Sequence, residues 1–144
     1  MTATVLQTLR MSRSFDAAPE RVFDAWTDPK LVARWLFTGP TSEAHSAELD
    51  LRVGGRWKIT DRRDGVDYVA EGEYRVIDRP RRLVFSFGMP QFSPEFADVT
   101  VDFEASGAGC LMTLSQDQLP PEHVEPTEHG WSLMFDGLEL LLKG

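Results

Sequence analysis

Any chemistry in this sequence would have to be built around rings. The large apolar side chains that could line a binding cavity are Trp35, Trp57, Tyr68, Tyr74, Phe85, Phe87, Phe103 and Trp131, with Met134 beside them. Small-molecule pockets are lined mainly by apolar and aromatic groups, and a few polar groups fix orientation. For any single ring, plain core is the commoner role. The two tyrosines tip the set toward a cavity, because a buried hydroxyl must find a partner. Trp35, Trp57, Tyr68, Tyr74, Phe85, Phe87, Phe103 and Met134 are the expected lining residues.

Other chemistries find less support. Asp61 beside Tyr68 or Tyr74 could act as a general base if the pair faced a cavity; a wet place at the strand end is the plainer expectation. Cys110 stands alone, without a base partner at a recognisable spacing, and its apolar neighbours suggest an inert buried thiol. His45, His123 and His129 show no metal-ligand spacing and fall in or beside expected loops. Neither VGGRW nor GVDYVAEGE fits a phosphate-binding loop. No catalytic residue, metal or cofactor is expected.

The whole-chain properties narrow the class further. The chain has 144 residues, 42% of them apolar, which suits one domain over residues 1–144 with a real core. A net charge of -8 disfavours nucleic acid and anionic membrane surfaces as partners. One cysteine excludes an internal disulfide and suits a reducing cytoplasm. The N-terminal residues show no signal-peptide pattern, and no apolar run approaches a membrane span.

The elements that must position the rings follow from periodicity. After a loose lead-in over residues 1–8, Leu9 to Phe15 alternates as a strand. Pro19 and Pro29 each sit where a helix can begin, because proline's missing N–H has no partner at the first helical position. Short helices are predicted over Pro19–Ala25 and Pro29–Trp35, followed by a loop over residues 37–46. In LRVGGRWKI a bulged turn at Gly54-Gly55-Arg56 would pair Val53 with Trp57 and Leu51 with Ile59. The Asp64-Gly65 turn pairs Asp61 with Tyr68, Ile59 with Ala70 and Trp57 with Gly72, so that a large ring faces a residue without a side chain. The inward run continues through Tyr74 and Val76. A turn around Pro80 sets Tyr74 opposite Phe85, and a turn at residues 106–109 sets Phe103 opposite Met112. The loop over residues 88–97 carries Met89, Phe92 and Phe96 as lid candidates, and residues 117–126 form a proline-rich loop. Trp131, Met134, Phe135, Leu138, Leu141 and Leu142 then form a helical stripe, the natural cover for a sheet with one wet face.

DAAPERVFDAWTDPKLVARWL, LDLRVGGRWKI, the YVAEGEYRVIDRPRRLVFSF run and the closing Gly130-Trp131 before a leucine-rich helix resemble, in order and spacing, the homologues of the heat-shock-protein-90 ATPase activator, within the START/SRPBCC (Bet v 1-like) superfamily. The resemblance spans about residues 9–142 and implies an α+β helix-grip fold: a curved antiparallel sheet, two short helices after the first strand, and a long C-terminal helix packed on the sheet. It implies a hydrophobic cavity between sheet and helix, and a lipid- or polyketide-like ligand. Some relatives are cyclases or aromatases. The eukaryotic namesake stimulates a chaperone ATPase through a domain fused to a second one that these residues do not show, so the cochaperone role does not transfer on the name. Gly109, Cys110 and Leu111 stand where the family usually has glycine, threonine and arginine. The expected function is binding of an apolar small molecule without catalysis. The rivals are a cyclase- or aromatase-type enzyme and a protein-interaction module, either a cochaperone-like partner or a homodimer through the sheet edge.

Overall fold

Two proline-started helices split the first strand from the rest of the sheet. The computed structural model describes residues 5–37, 42 and 44–143. Along the chain run β1 (Gln7–Phe15), α1 (Pro19–Thr27), α2 (Pro29–Val32), β2 (Ala44–Leu49), β3 (Arg56–Arg63), β4 (Val66–Asp78), β5 (Arg82–Phe87), β6 (Ala97–Ser106), β7 (Gly109–Leu119) and α3 (Pro121–Lys143). The strands form one curved seven-stranded sheet in the order β1-β7-β6-β5-β4-β3-β2. Every neighbouring pair is antiparallel. This is the α+β helix-grip architecture.

Both short helices begin on proline, as expected, but only α2 has a side-chain cap: Asp28 accepts a hydrogen bond from the Lys30 N–H at 3.0 Å. Ala18 holds the cap position of α1 and has no side chain that could cap it. Helix α2 closes at Val32, short of Trp35. Val22, Phe23 and Trp26 on α1 and Trp131, Phe135, Leu138 and Leu142 on α3 are buried on the sheet's inner face. The core between sheet and helices is continuous.

The Asp64-Gly65 hairpin has the predicted register, with Asp61 opposite Tyr68, Ile59 opposite Ala70 and Trp57 opposite Gly72. Asp64 and Gly65 both have positive φ, 52° and 74°, which the tight hairpin turn demands. Tyr74 faces Phe85, and Phe103 faces Met112. Two registers differ from expectation. Leu49, not Val53, pairs with Trp57, and Ala47, not Leu51, pairs with Ile59. Strand β2 stops at Leu49, leaving Leu51 and Val53 exposed. The glycines extend the next pairing instead: Gly54 N–H donates to Tyr74 O at 2.8 Å, and Tyr74 N–H donates to Gly55 O at 2.9 Å. Gly54 sits at φ 86°, and a Cβ on Gly55 would lie 2.1 Å from the Asp50 carbonyl oxygen. Only glycine fits this fold-back. The second difference is in β4. The register shifts between Tyr74 and Val76, so Val76 turns outward and Ile77 packs inward opposite Leu83. An inserted residue reverses the parity of every side chain after it.

Residues 117–126 are not a loop. Strand β7 runs to Leu119 and α3 starts at Pro121, with Pro126 inside the helix. Pro121 suits the first helical position. The residues around Pro126 face solvent, so water can serve the carbonyl that its missing N–H leaves unbonded. His123 and His129 therefore lie exposed on a helix rather than in a loop. Half of the loop expected over 37–46 lies outside the described residues; Ala44–Ser46 belong to β2.

Candidate functional site

The space between the sheet and α3 is packed with rings. Phe37, at the end of the α2 region, stacks on Phe87 (4.8 Å between ring centroids, 17° between planes) and on Trp57 (5.9 Å, 7°). Trp131 from α3 lies 5.6 Å from Phe37. Phe37 holds this place with φ at 55°, costly for a phenylalanine, while its backbone N–H donates to Met134 Sδ at 3.1 Å.

All four tryptophans direct the indole N–H to a partner: Trp26 to Met112 Sδ, Trp35 to Ala25 O, Trp57 to Ser86 O and Trp131 to Gln116 Oε1. The Trp57 contact crosses Gly72. A Cβ on Gly72 would lie 1.7 Å from Ser86 O and 2.8 Å from Trp57 Nε1. The glycine is what lets an indole on β3 reach over β4 to a carbonyl on β5.

This packing sorts the expected lining residues. Trp35 and Phe103 lie in the core, Phe103 edge-on to Phe23 at 5.4 Å. Trp57, Tyr74 and Phe85 wall a void of only about 10 Å³, at the lower limit for a single water. Tyr68 and Met134, with Phe37, Arg63, Ala70 and Met89, line an opening of about 210 Å³ between the β3–β4 hairpin and α3. Phe87 borders a second opening of about 350 Å³, under the β5–β6 loop, with Met89, Phe92, Phe96, Gln116 and His123 among its walls. Met89 belongs to both. A third depression, about 370 Å³, is an open groove edged by Glu48, Asp50, Arg56, Lys58 and Glu71.

The β5–β6 loop is held in place over the openings. Gln91 Nε2 donates to Val69 O at 3.0 Å, Phe92 stacks on Tyr68 at 6.0 Å, and the Phe96 ring rests on Gly88.

Asp61 is not wet. It is 2% exposed, and Arg63 Nε lies 2.8 Å from its Oδ2. The N–H is not aligned for a hydrogen bond, so the contact is an ion pair. Among the described residues neither carboxylate oxygen has a hydrogen-bond donor. The Arg63 guanidinium in turn stands 4.8 Å over the Tyr68 ring. Burial pushes the Tyr74 hydroxyl far above the ordinary tyrosine range. Burial also raises the Cys110 thiol, and the nearby Glu20 and Glu104 carboxylates push it the same way, against an activated thiolate. Among the described residues no cluster of three or more His, Cys, Asp or Glu could hold a metal ion, and no helix is long and apolar enough to cross a membrane.

Sequence reasoning gave Phe37 and Arg63 no place in the wall, and it expected Met89 only as a lid. Arg63 was legible: it continues the inward parity of Trp57, Ile59 and Asp61. Phe37 was not, since nothing local announces a left-handed phenylalanine.

Solved structures with this fold include a protein of unknown function from Staphylococcus aureus, 23% identical, with a TM-score of 0.85 over 97% of this chain and 95% of that one. Others are a protein from Chromobacterium violaceum (24% identical, TM-score 0.81, 95% and 97% covered) and CalU16 from Micromonospora echinospora (22%, 0.69, 98% and 87%). At such identities the likeness shows the fold alone. No match was found among curated proteins. The family model for activator of Hsp90 ATPase homolog 1-like protein matches residues 16–143, and this chain belongs to that family.

Proposed function

We propose that the protein binds a small apolar molecule in the opening walled by Phe37, Tyr68, Ala70, Met89 and Met134. The observation that carries this reading is the contrast within one interior: the centre is packed to a void of about 10 Å³, whereas this opening keeps about 210 Å³ between walls that are apolar except for Arg63. Mainly apolar walls, a few polar groups and a preformed shape are what a small-molecule site needs. Membership of a ligand-binding superfamily agrees with it, and a single buried cysteine accords with a place in the cytoplasm. Native mass spectrometry of the purified protein beside a denatured control tests it. A mass excess lost on denaturation is expected; a bare mass, together with no binding of neutral aromatic probes, refutes it.

A second reading, a protein-interaction module, draws on the same packed centre and on the exposed Leu133 and Leu140, seven residues apart on the outer side of α3. A bare protein that runs as a dimer would favour it. The burial of Asp61 beside Tyr68 favours an enzyme, but the close Arg63 contact works against a free base.

A further inference from the structure

We propose that Arg63 anchors an anionic head group, so that the molecule bound in this opening is an amphiphile with a carboxylate at one end and a flat apolar body. The inference rests on the apolar-site reading and names the ligand class for the same site.

Arg63 is the charged member of a lining otherwise made of Phe37, Tyr68, Ala70, Met89 and Met134. An arginine on the inward face of a strand needs a reason to be there. Its surroundings fix it on two sides. Asp61 Oδ2 lies 2.8 Å from Nε, and the Tyr68 ring lies 4.8 Å beneath the guanidinium carbon. Phe92 backs that ring from the β5–β6 loop. Asp61 is itself anomalous, a carboxylate 2% exposed with no hydrogen-bond donor among the described residues. A buried carboxylate so poorly served is costly. Its position makes sense as the counter-charge of Arg63: it draws the guanidinium in beside it, while the Tyr68 ring sets the face on which it rests.

A guanidinium ion-paired through Nε and stacked on one face has, among the described residues, its two terminal nitrogens left for a planar acceptor. Their parallel N–H groups match a carboxylate in two-point fashion. The order of the groups decides the sign of the ligand's charge. Arg63 lines the opening and Asp61 does not, so an incoming head group meets the guanidinium first. A cation would be repelled before it reached the carboxylate. The apolar remainder of the wall then takes the body, with Tyr68 and Phe37 offering ring faces.

Isothermal titration with three probes of one shape tests this: 2-naphthoate, the uncharged 2-naphthylmethanol and the cationic 2-naphthylmethylammonium. The wild-type protein is expected to bind naphthoate about tenfold or more tighter than the alcohol. Arg63→Gln should erase that preference while leaving the alcohol within about threefold of its wild-type affinity. Arg63→Lys should retain part of it, as charge without the planar fork. Because Arg63→Gln leaves Asp61 without its ion-pair partner, the double variant Asp61→Asn/Arg63→Gln repeats the measurement without a stranded charge. Equal binding of naphthoate and alcohol, tighter binding of the ammonium, or a preference that survives Arg63→Gln would overturn the anchor while leaving the apolar site standing. Failure of all three probes to bind would overturn both.

Discussion

Replacing Gly72 by alanine adds one carbon at the most crowded point of the sheet. The new Cβ would lie 1.7 Å from the Ser86 carbonyl oxygen, 2.6 Å from the Ser86 carbonyl carbon and 2.8 Å from Trp57 Nε1. Backbone cannot yield as a flexible side-chain end does, so β4 and β5 must separate. Overpacking of this kind costs about 1–3 kcal/mol. Separation also breaks the 3.1 Å bond from Trp57 Nε1 to Ser86 O, which strands a buried donor at a further cost of about 1–3 kcal/mol. The expected loss is about 2–6 kcal/mol, a large share of a typical domain stability. At this chain length each kcal/mol moves the melting temperature by about 3 °C, so the variant should melt about 6–18 °C lower. Urea unfolding followed by circular dichroism measures the same loss. Trp57→Phe provides the internal check. Alone it should cost about 1–2 kcal/mol; in the Gly72→Ala background it should cost less, because the bond it removes is already broken. A loss below about 1 kcal/mol for Gly72→Ala, or strict additivity of the two changes, refutes the account of the glycine as a crossing point.

Phe37 tests the ring plug: Phe37→Ala should cost about 2–4 kcal/mol, and Phe37→Gly should cost less despite removing one more carbon, because φ of 55° suits glycine. The reverse order in denaturant titrations would refute the strain. Tyr74 has a raised pKa in the folded state through burial, so its contribution is complete below the unfolded value of about 10 and is lost as the pH rises beyond it. Stability should fall less steeply above about pH 10 in Tyr74→Phe than in the wild type, and parallel curves would refute the assignment. Cys110 is 1% exposed, so a thiol reagent should label it only at the rate of unfolding; rapid labelling of the native protein would show an opening that the packing does not allow.

The faces of this sheet could be read from the residues because parity is strict. The Asp64-Gly65 turn leaves one register, and that register carries Trp57 onto Gly72 without knowledge of any other strand. Parity also kept β2 on the correct side when its pairing was misjudged: Leu49 and Val53 differ by an even number, so either can face inward opposite Trp57. What chose Leu49 was a long-range bond, Gly54 to Tyr74, which local pattern does not contain. The bulge that turns Val76 outward and the helical start at Pro121 escaped for related reasons. A bulge has no required residue, and prolines that signal a loop also suit a helix's first turn. The binding opening was half legible. Tyr68 and Met134 stand at its wall, and Phe87 borders the neighbouring opening, whereas Trp57 and Phe85 close up into core beside Phe37, which fills the gap between sheet and helix.

The sheet order also sets a timetable. Strand β1, near the start of the chain, completes its pairing only on β7; Ser12 and Thr113, side by side through their hydroxyls, are 101 residues apart. At a synthesis rate of about 5–20 residues per second, β1 is made about 5–20 s before its partner. Helix α3, which covers the inner face, follows later still. For that interval the nascent chain exposes an unpaired strand and an uncovered apolar surface, the two features that invite association between chains. Arg10 and Arg13, carried on β1 itself, are the kind of charge that keeps a waiting edge from pairing with its neighbours.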